Sequence, residues 1–254
     1  MTATPCAIVT GATSGIGRAA AIRLARDGLA IVAVGRDTAA LTEVDAAVVD
    51  AGAACATVEA DVTAHDAPAR VVEAAVSRFG GVDALINAAG IIGSGPLEGI
   101  DDEAWDRMMD INTRAPFRLL RAATPHLVAR RGAVVNVSSV AGLRAFPGIL
   151  AYAVSKAAVD QLTRCAAIEL ASRGVRVNAV NPGVVVTELH RRSGMTDEQY
   201  AAFLERSRET HPLGRPGRPD EIAELIAFLA STKSAWMTGE TIAIDGGRHL
   251  TCAR

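Results

Sequence analysis

The sequence has few aromatic residues and almost no lysine. Aromatics make up only 4% of its 254 residues, so alanine, valine, isoleucine and leucine must fill any core. Small aliphatic side chains suit helices packed closely on a parallel sheet. Cysteine is sparse too. Cys6, Cys55, Cys165 and Cys252 are scattered and form no CxxC pair, which argues against a disulfide framework. Reduced, buried thiols in a cytoplasmic protein are expected instead. The five histidines lack ligand spacing, so no metal is expected. No apolar run reaches the ~18 residues of a membrane span. The opening MTATPCAIVT lacks the charged region of a secretory signal. Net charge is −2 with both signs interspersed, so neither a nucleic-acid surface nor a membrane patch is expected.

The shortage of lysine makes the two that exist informative. Every basic residue except Lys156 and Lys233 is arginine. Lys156 lies in AYAVSKAAV (151–159), four positions after Tyr152, which is itself one of two tyrosines. Four residues is one helical turn, so the two side chains share a face. Lys233, in LASTKSA, reads as a solvated charge at a helix end.

Short apolar runs alternate with amphipathic stretches along the whole chain. Strand-like runs are 6–10, 31–35, 54–60, 84–87, 133–138, 176–181 and 241–245. Helix-like segments lie near 15–27, 39–51, 66–79, 101–129, 153–172 and 219–231. Strict alternation of this kind predicts an α/β fold: a doubly wound, Rossmann-type, seven-stranded parallel sheet with helices on both faces. No linker, charge block or repeat divides the chain, so 1–254 reads as one domain. The polar, arginine-rich excursion at 188–218 is the one interruption. Its first part, 188–213, reads as a lid, with Gly194 as hinge and Tyr200, Phe203 and Leu204 as an apolar stripe. The polar segment 188–195 is expected to order only when ligands bind.

Between the first strand and the first helix stands TGATSGIGRAAAIRLA (10–25). Gly11, Gly15 and Gly17 there permit a tight turn and let backbone N–H groups approach a pyrophosphate at the helix N-terminus. The second strand ends Val34-Gly35-Arg36-Asp37-Thr38. An acidic residue at that point would favour a free ribose hydroxyl. Gly35 instead leaves room, and Arg36 offers a fork for a 2′-phosphate. That predicts NADP(H) over NAD(H). Asp37-Thr38 reads as the cap of the following helix.

Together these residues resemble the classical short-chain dehydrogenase/reductases. TGATSGIG, NAAG (87–90), Asn112 in DINTRAPF, NVSSVAG, Tyr152-x3-Lys156 and NPG (181–183) fall in that family's order and spacing. The resemblance covers essentially the whole chain. Two departures stand out: NAAG replaces the usual NNAG, and Ser14 stands where NADP-dependent members often carry a basic residue. The resemblance implies a catalytic set of Asn112, Ser139, Tyr152 and Lys156, with Asn112 holding a water that links Lys156 to solvent. It implies cofactor contacts from Gly11, Ser14, Gly15, Ile16, Gly17, Arg36 and Ala88. Asp61 and Val62 would frame the adenine, and Asn87 would line the adenosine-ribose end. Pro182 and Gly183 would also border the cofactor, Val184 and Thr187 just after them would contact the carboxamide, and Lys156 would hold the nicotinamide ribose.

The chemistry explains why these residue types are needed. A phenol with a pKa of about 10 is a poor proton partner at neutral pH. An ammonium one helical turn away is expected to pull that pKa down. Arginine would serve badly, because the position calls for a compact point charge. Ser138 and Ser139 point to opposite sides of the strand end, and the family register selects Ser139 to hydrogen-bond the substrate oxygen.

The expected activity is therefore interconversion of a ketone and a secondary alcohol. A carrier-bound 3-oxoacyl thioester is one substrate class, and Arg130 and Arg173 match basic residues that such reductases present to an acidic carrier. The alternatives are an NAD-dependent dehydrogenase of a free alcohol (a sugar, polyol, steroid or hydroxy acid) and a cofactor-sensing regulatory protein. A regulator would be expected to lose the Tyr/Lys pair. Outer faces of 101–129 and 153–172, including Ala153, Ala157, Ala166 and Ala167, carry more small apolar residues than a solvent face needs; the family resemblance implies that these helices pair across two-fold axes, with the last strand, TIAIDGG, making a second interface, in a homotetramer.

Overall fold

The computed structural model describes residues 4–251; Cys252, one of the expected thiols, lies outside them. Seven parallel strands run in the order β3-β2-β1-β4-β5-β6-β7. They are β1 Cys6–Thr10, β2 Ala30–Gly35, β3 Cys55–Glu59, β4 Ala84–Asn87, β5 Ala133–Val137, β6 Arg176–Pro182 and β7 Thr241–Ile244. The expected runs at 54–60, 133–138 and 241–245 each lose a residue or two at their ends. The order reverses between β1 and β4, where Thr10 stands beside Asn87. Ligands of such sheets bind at that reversal, outside the carboxyl ends of the strands.

Alternation along the strands divides the core. Cys6, Ile8, Val32, Val34, Leu85 and Val134 face one side. There they meet α3 (Ala67–Phe79), α5 (Ala115–Arg130) and α7 (Leu150–Ala171). Ala7, Val9, Ile31, Ala33, Ile86 and Val135 face the other. That side is covered by α1 (Gly15–Arg26), α2 (Thr38–Asp50) and α10 (Pro219–Ala230). Ala20 and Ala21 of α1 and Ala223 and Ala227 of α10 are buried. Side chains this small let helices approach closely, which is how the chain builds a dense core with so few aromatics. Asp37 caps α2 as expected, its Oδ1 accepting from the Ala40 N–H at 3.1 Å.

The expected helix at 101–129 is instead α4 (Asp102–Met109), a π turn (Asp110–Arg114) and α5. The single wide turn carries Asn112, and such bulges recur at functional sites. Two further expectations need correction. Ala166 and Ala167 belong to the core and not to an outer face, while Ala157 is exposed. Cys6 is buried as expected, but Cys165 is exposed on α7. Among the described residues no helix is long and apolar enough to cross a membrane, and no group of side chains could hold a metal ion.

Candidate active site

A cleft of about 1210 Å³ runs along the carboxyl ends of β1, β2, β4, β5 and β6. Its floor at one end is the glycine loop. Gly11 has φ +65°, and a Cβ there would lie 2.9 Å from the Ala89 backbone. A Cβ on Gly17 would come 2.3 Å from the Gly11 carbonyl oxygen. Only glycines fold this loop so flat. Thr10 fastens it to the neighbouring strand: its hydroxyl oxygen accepts from the Ala88 and Ala89 N–H groups, both at 3.1 Å. The cradle at the N-terminus of α1 therefore fits a pyrophosphate.

Ser14, Gly15, Ile16, Arg36, Asp61, Val62 and Ala88 all line this end of the cleft. Arg36 is largely exposed, with its guanidinium 3.9 Å from the Asp61 carboxylate. Hydrogen bonding from the Thr63 backbone, more than Arg36, holds Asp61 below its usual range. Gly35 does not open space for a ligand. The place of its Cβ is filled by Thr13, whose methyl would be 2.4 Å away. Asn87 is also displaced from its expected place. It does not line the main cleft; its Nδ2 donates to Asn136 Oδ1 at 2.8 Å, inside the sheet end.

The other end of the cleft gathers Ser139, Tyr152 and Lys156. All three are buried, at 8%, 7% and 5% exposure. Ser139 caps the short α6 (Val140–Leu143) and hydrogen-bonds Tyr152. Ser138 faces away, its hydroxyl donating to the Lys156 carbonyl at 3.1 Å, so the two serines diverge as expected. Tyr152 departs from expectation. Burial raises its phenol above the ordinary value, and the Ser139 bond only partly offsets this. The Lys156 Nζ donates instead to the Val137 carbonyl at 2.9 Å, 5.7 Å from the Tyr152 ring centre. Burial also brings the Lys156 ammonium down to about 8.

Asn112 is 1% exposed and does not line the cleft. Its amide clamps Ile91, accepting from the N–H at 2.9 Å and donating to the carbonyl at 3.0 Å, and also donates to Ser155 Oγ. It shares one wall with Lys156. A Cβ on Gly90 would lie 3.3 Å from Asn112 Oδ1 and 3.4 Å from Lys156 Nζ.

Pro182, Gly183, Val184 and Thr187 line the cleft after β6. Val184 cannot offer its amide there. The Val184 N–H donates to His211 Nε2 at 3.1 Å, and its carbonyl accepts from the Gly217 N–H at 2.8 Å. The opposite nitrogen, His211 Nδ1, is 2.8 Å from the Ser207 carbonyl. That pairing requires a neutral imidazole with its proton on Nδ1. Tyr200 makes a matching tie, donating to the Thr187 carbonyl at 2.9 Å and accepting from its N–H at 3.1 Å. The second tyrosine is thus a structural anchor. Both ties begin on α9 (Asp197–Thr210) or just beyond it. His211 and its partners left no signal in the sequence beyond a single histidine before a proline.

The site is that of an oxidoreductase built on a dinucleotide-binding sheet, and comparison with known proteins agrees. A family model described as enoyl-(acyl carrier protein) reductase matches residues 11–249. The 3-oxoacyl-[acyl-carrier-protein] reductase FabG of Staphylococcus aureus is 38% identical over 256 residues, covering 98% of this chain and all of that one. The 3beta-hydroxysteroid dehydrogenase 1 of Eggerthella lenta is 37% identical over 246 residues, covering 96% of this chain and 93% of its own. A solved short-chain dehydrogenase/reductase of unknown function from Caenorhabditis elegans superimposes with a TM-score of 0.91 at 36% identity, covering 97% of this chain and 96% of that one. The chain belongs to the short-chain dehydrogenase/reductase family.

The His211 tie has a measurable pH signature. Burial holds this imidazole below its ordinary value of 6.5. Its contribution to stability is complete above that value and is lost as pH falls from there through the lower folded-state value. His211→Leu should cost about 1–3 kcal/mol at pH 7.5, the penalty for orphaned buried hydrogen-bonding groups. Between pH 7.5 and 5 the variant should lose less stability than the parent. Urea denaturation at the two pH values measures both effects, and identical pH dependence would remove His211 from the account.

Proposed function

We propose that this enzyme uses NADP(H) to interconvert a ketone and a secondary alcohol, with a 3-oxoacyl thioester as its substrate class. The observation that carries the chemistry is that Ser139, Tyr152 and Lys156 close one end of the cleft whose other end is the glycine cradle. The preference for NADP(H) is supported by Arg36 at the cradle end, while Asp37, the acid next to it after β2, spends its carboxylate capping α2. The substrate class is supported by the name of the Staphylococcus relative.

The bound nicotinamide supplies or accepts hydride. Gly11, Ser14, Gly15, Ile16 and Gly17 would hold the pyrophosphate, and Asp61, Val62 and Ala88 the adenosine. Arg36 would bind the 2′-phosphate, exchanging its Asp61 partner for it. Pro182, Gly183 and Thr187 would form the wall behind the carboxamide, with Val184 contributing only its side chain. Ser139 and Tyr152 would hydrogen-bond the substrate oxygen together. Tyr152 would give that oxygen its proton in reduction and take it back in oxidation. Lys156 would hold the ribose hydroxyls and favour the phenolate. Moving Nζ from the Val137 carbonyl towards the ribose would bring its charge to bear on the phenol. Asn112, beside Lys156 across Gly90, would support the water that returns protons from solvent.

A second reading, a dehydrogenase of a free secondary alcohol, has an observation in its favour. Arg130 is spoken for: it donates to the Gly80 carbonyl at 3.0 Å and lies 3.9 Å from Asp83. That leaves Arg173 alone of the two residues expected to meet a carrier. The Eggerthella relative's name points the same way.

Steady-state rates with acetoacetyl thioesters and with free ketones and alcohols, each against NADPH and NADH, separate the readings. The proposal expects the highest kcat/KM for a thioester with NADPH; equal or better rates with NADH would sink the cofactor assignment. Tyr152→Phe should lower kcat on the order of 10²–10⁴, the scale of general acid–base catalysis.

The segment 188–213 is proposed as a lid over the substrate. Tyr200 and His211 anchor its far side, while Gly194, at φ +102°, is a position only glycine adopts freely. Hydrogen exchange of 188–195 should slow on adding NADPH; full protection without it would make the segment a fixed wall. A homotetramer, built through α4, α5 and α7 and the β7 edge, is the proposed assembly. Light scattering should give about four times the 26.3 kDa chain mass, and a mass near one chain would refute it.

A further inference from the structure

Asp160 lies on α7 four residues beyond Lys156, 1% exposed, and the chemistry proposed above makes no use of it. A buried carboxylate is costly unless it is hydrogen-bonded or paired. Burial raises this carboxyl above its usual range, and hydrogen bonds and charges from several sides oppose that shift. Asn181 Nδ2, at the end of β6, donates to both carboxylate oxygens at 3.0 Å and to the Ser139 carbonyl at 2.9 Å. Ser138, just beyond β5, has its one hydroxyl proton shared between the carboxylate and the Lys156 carbonyl. From α6, Gly142 leaves the space the carboxylate occupies: a Cβ there would stand 2.5 Å from Asp160 Oδ2. The charged groups acting on Asp160 are Lys156 and Arg164, both on α7. The neighbours from β5, β6 and α6 are neutral.

The carboxylate therefore joins the two sides of the proposed reaction centre. One path runs through Asn181 to the backbone of Ser139, the other along α7 to the ammonium of Lys156. The lysine has need of such a neighbour. Its amine sits in a place that favours the neutral form, and Asp160 is the charge that opposes this.

We propose that Asp160 is a positioning residue, whose buried carboxylate keeps Lys156 an ammonium and, through Asn181, fixes Ser139 against Tyr152. The proposal rests on the reading of Tyr152 and Lys156 as the working pair, and its test separates the two.

The chain has only two lysines, so lysine labelled with 13C at Cε yields two side-chain resonances, and Lys233→Arg assigns them. Titrating the cofactor-free protein reads the Lys156 midpoint without reference to activity. In Asp160→Asn that midpoint should fall, since an opposite charge nearby favours the ammonium. The alkaline limb of kcat/KM should move towards acid with it. An unchanged Lys156 midpoint in a folded variant overturns the proposal. A shifted midpoint with an unmoved activity limb keeps the Asp160–Lys156 pairing but sinks the role given to Lys156. If Asp160→Asn does not fold, the parent protein carries the test. Its Lys156 resonance should then show a second, smaller inflection in acid, where Asp160 takes up a proton. A flat acid limb overturns the pairing.

Discussion

The site depends on one costly placement, a lysine amine carried into the interior at the end of β5. Lys156 is 5% exposed, and its Nζ is satisfied by the Val137 carbonyl. Burial works against its charge. A buried ammonium persists only where hydrogen bonds and opposite charge compensate for lost water. The polar groups of this sheet end are arranged accordingly. Asp160 stands one turn further along α7, Asn181 and Ser138 hold Asp160, and Gly90 lets the Asn112 clamp close beside the amine. An arginine could not take this position, because a guanidinium spreads its charge over a planar fork where a compact point charge is called for. A chain that otherwise writes arginine for nearly every positive charge keeps lysine here.

The scaffold supplies rigidity where the cleft needs it. The central strands β1, β2 and β4 are buried along their whole length. The carboxyl ends of β1 and β4 are fastened by Thr10 across the reversal of strand order. Side chains reaching the cleft from β5, β6 and α7 are therefore fixed by a core that repacks only at a cost. Each fully buried leucine or isoleucine contributes about 1.5–3 kcal/mol to that core. The excursion after β6 is tied back to the cleft. There α9 is tied by Tyr200 to the backbone of Thr187 and, just past its end, by His211 to that of Val184. The wall of the cleft and the excursion thus share two contacts of side chain with backbone. A movement of either is felt by the other.

Much of this was legible in the residues alone. Apolar runs alternating with amphipathic stretches carried the seven strands and their helices, because burial on both faces of a parallel sheet imposes that pattern. Of the expected site residues only Asn87 and Asn112 fail to line the cleft. Both are asparagines whose amides found closer partners, Asn136 for one and Ile91 for the other. Sequence spacing places a residue on an element but does not say which of several polar neighbours will satisfy it. The π turn at Asp110–Arg114 was hidden for a related reason, since one extra residue in a helical turn leaves the apolar pattern nearly unchanged. Asp160 left a trace of its own: Tyr152, Ser155, Lys156, Asp160 and Thr163 recur at helical spacing among the buried residues of α7. Polar residues in register along a buried stripe mark a network.

The central claim is that Lys156 serves the dinucleotide as well as the proton, and equilibrium binding tests it most directly. NADPH titrated into the protein and into Lys156→Met and Tyr152→Phe, followed by nicotinamide fluorescence, gives three dissociation constants. The account predicts that loss of the ammonium weakens binding about tenfold or more, the scale of one charge-assisted hydrogen bond of about 1.5–3 kcal/mol. Loss of the phenol should leave binding nearly unchanged. A Lys156→Met protein that binds NADPH as tightly as the parent would contradict the account.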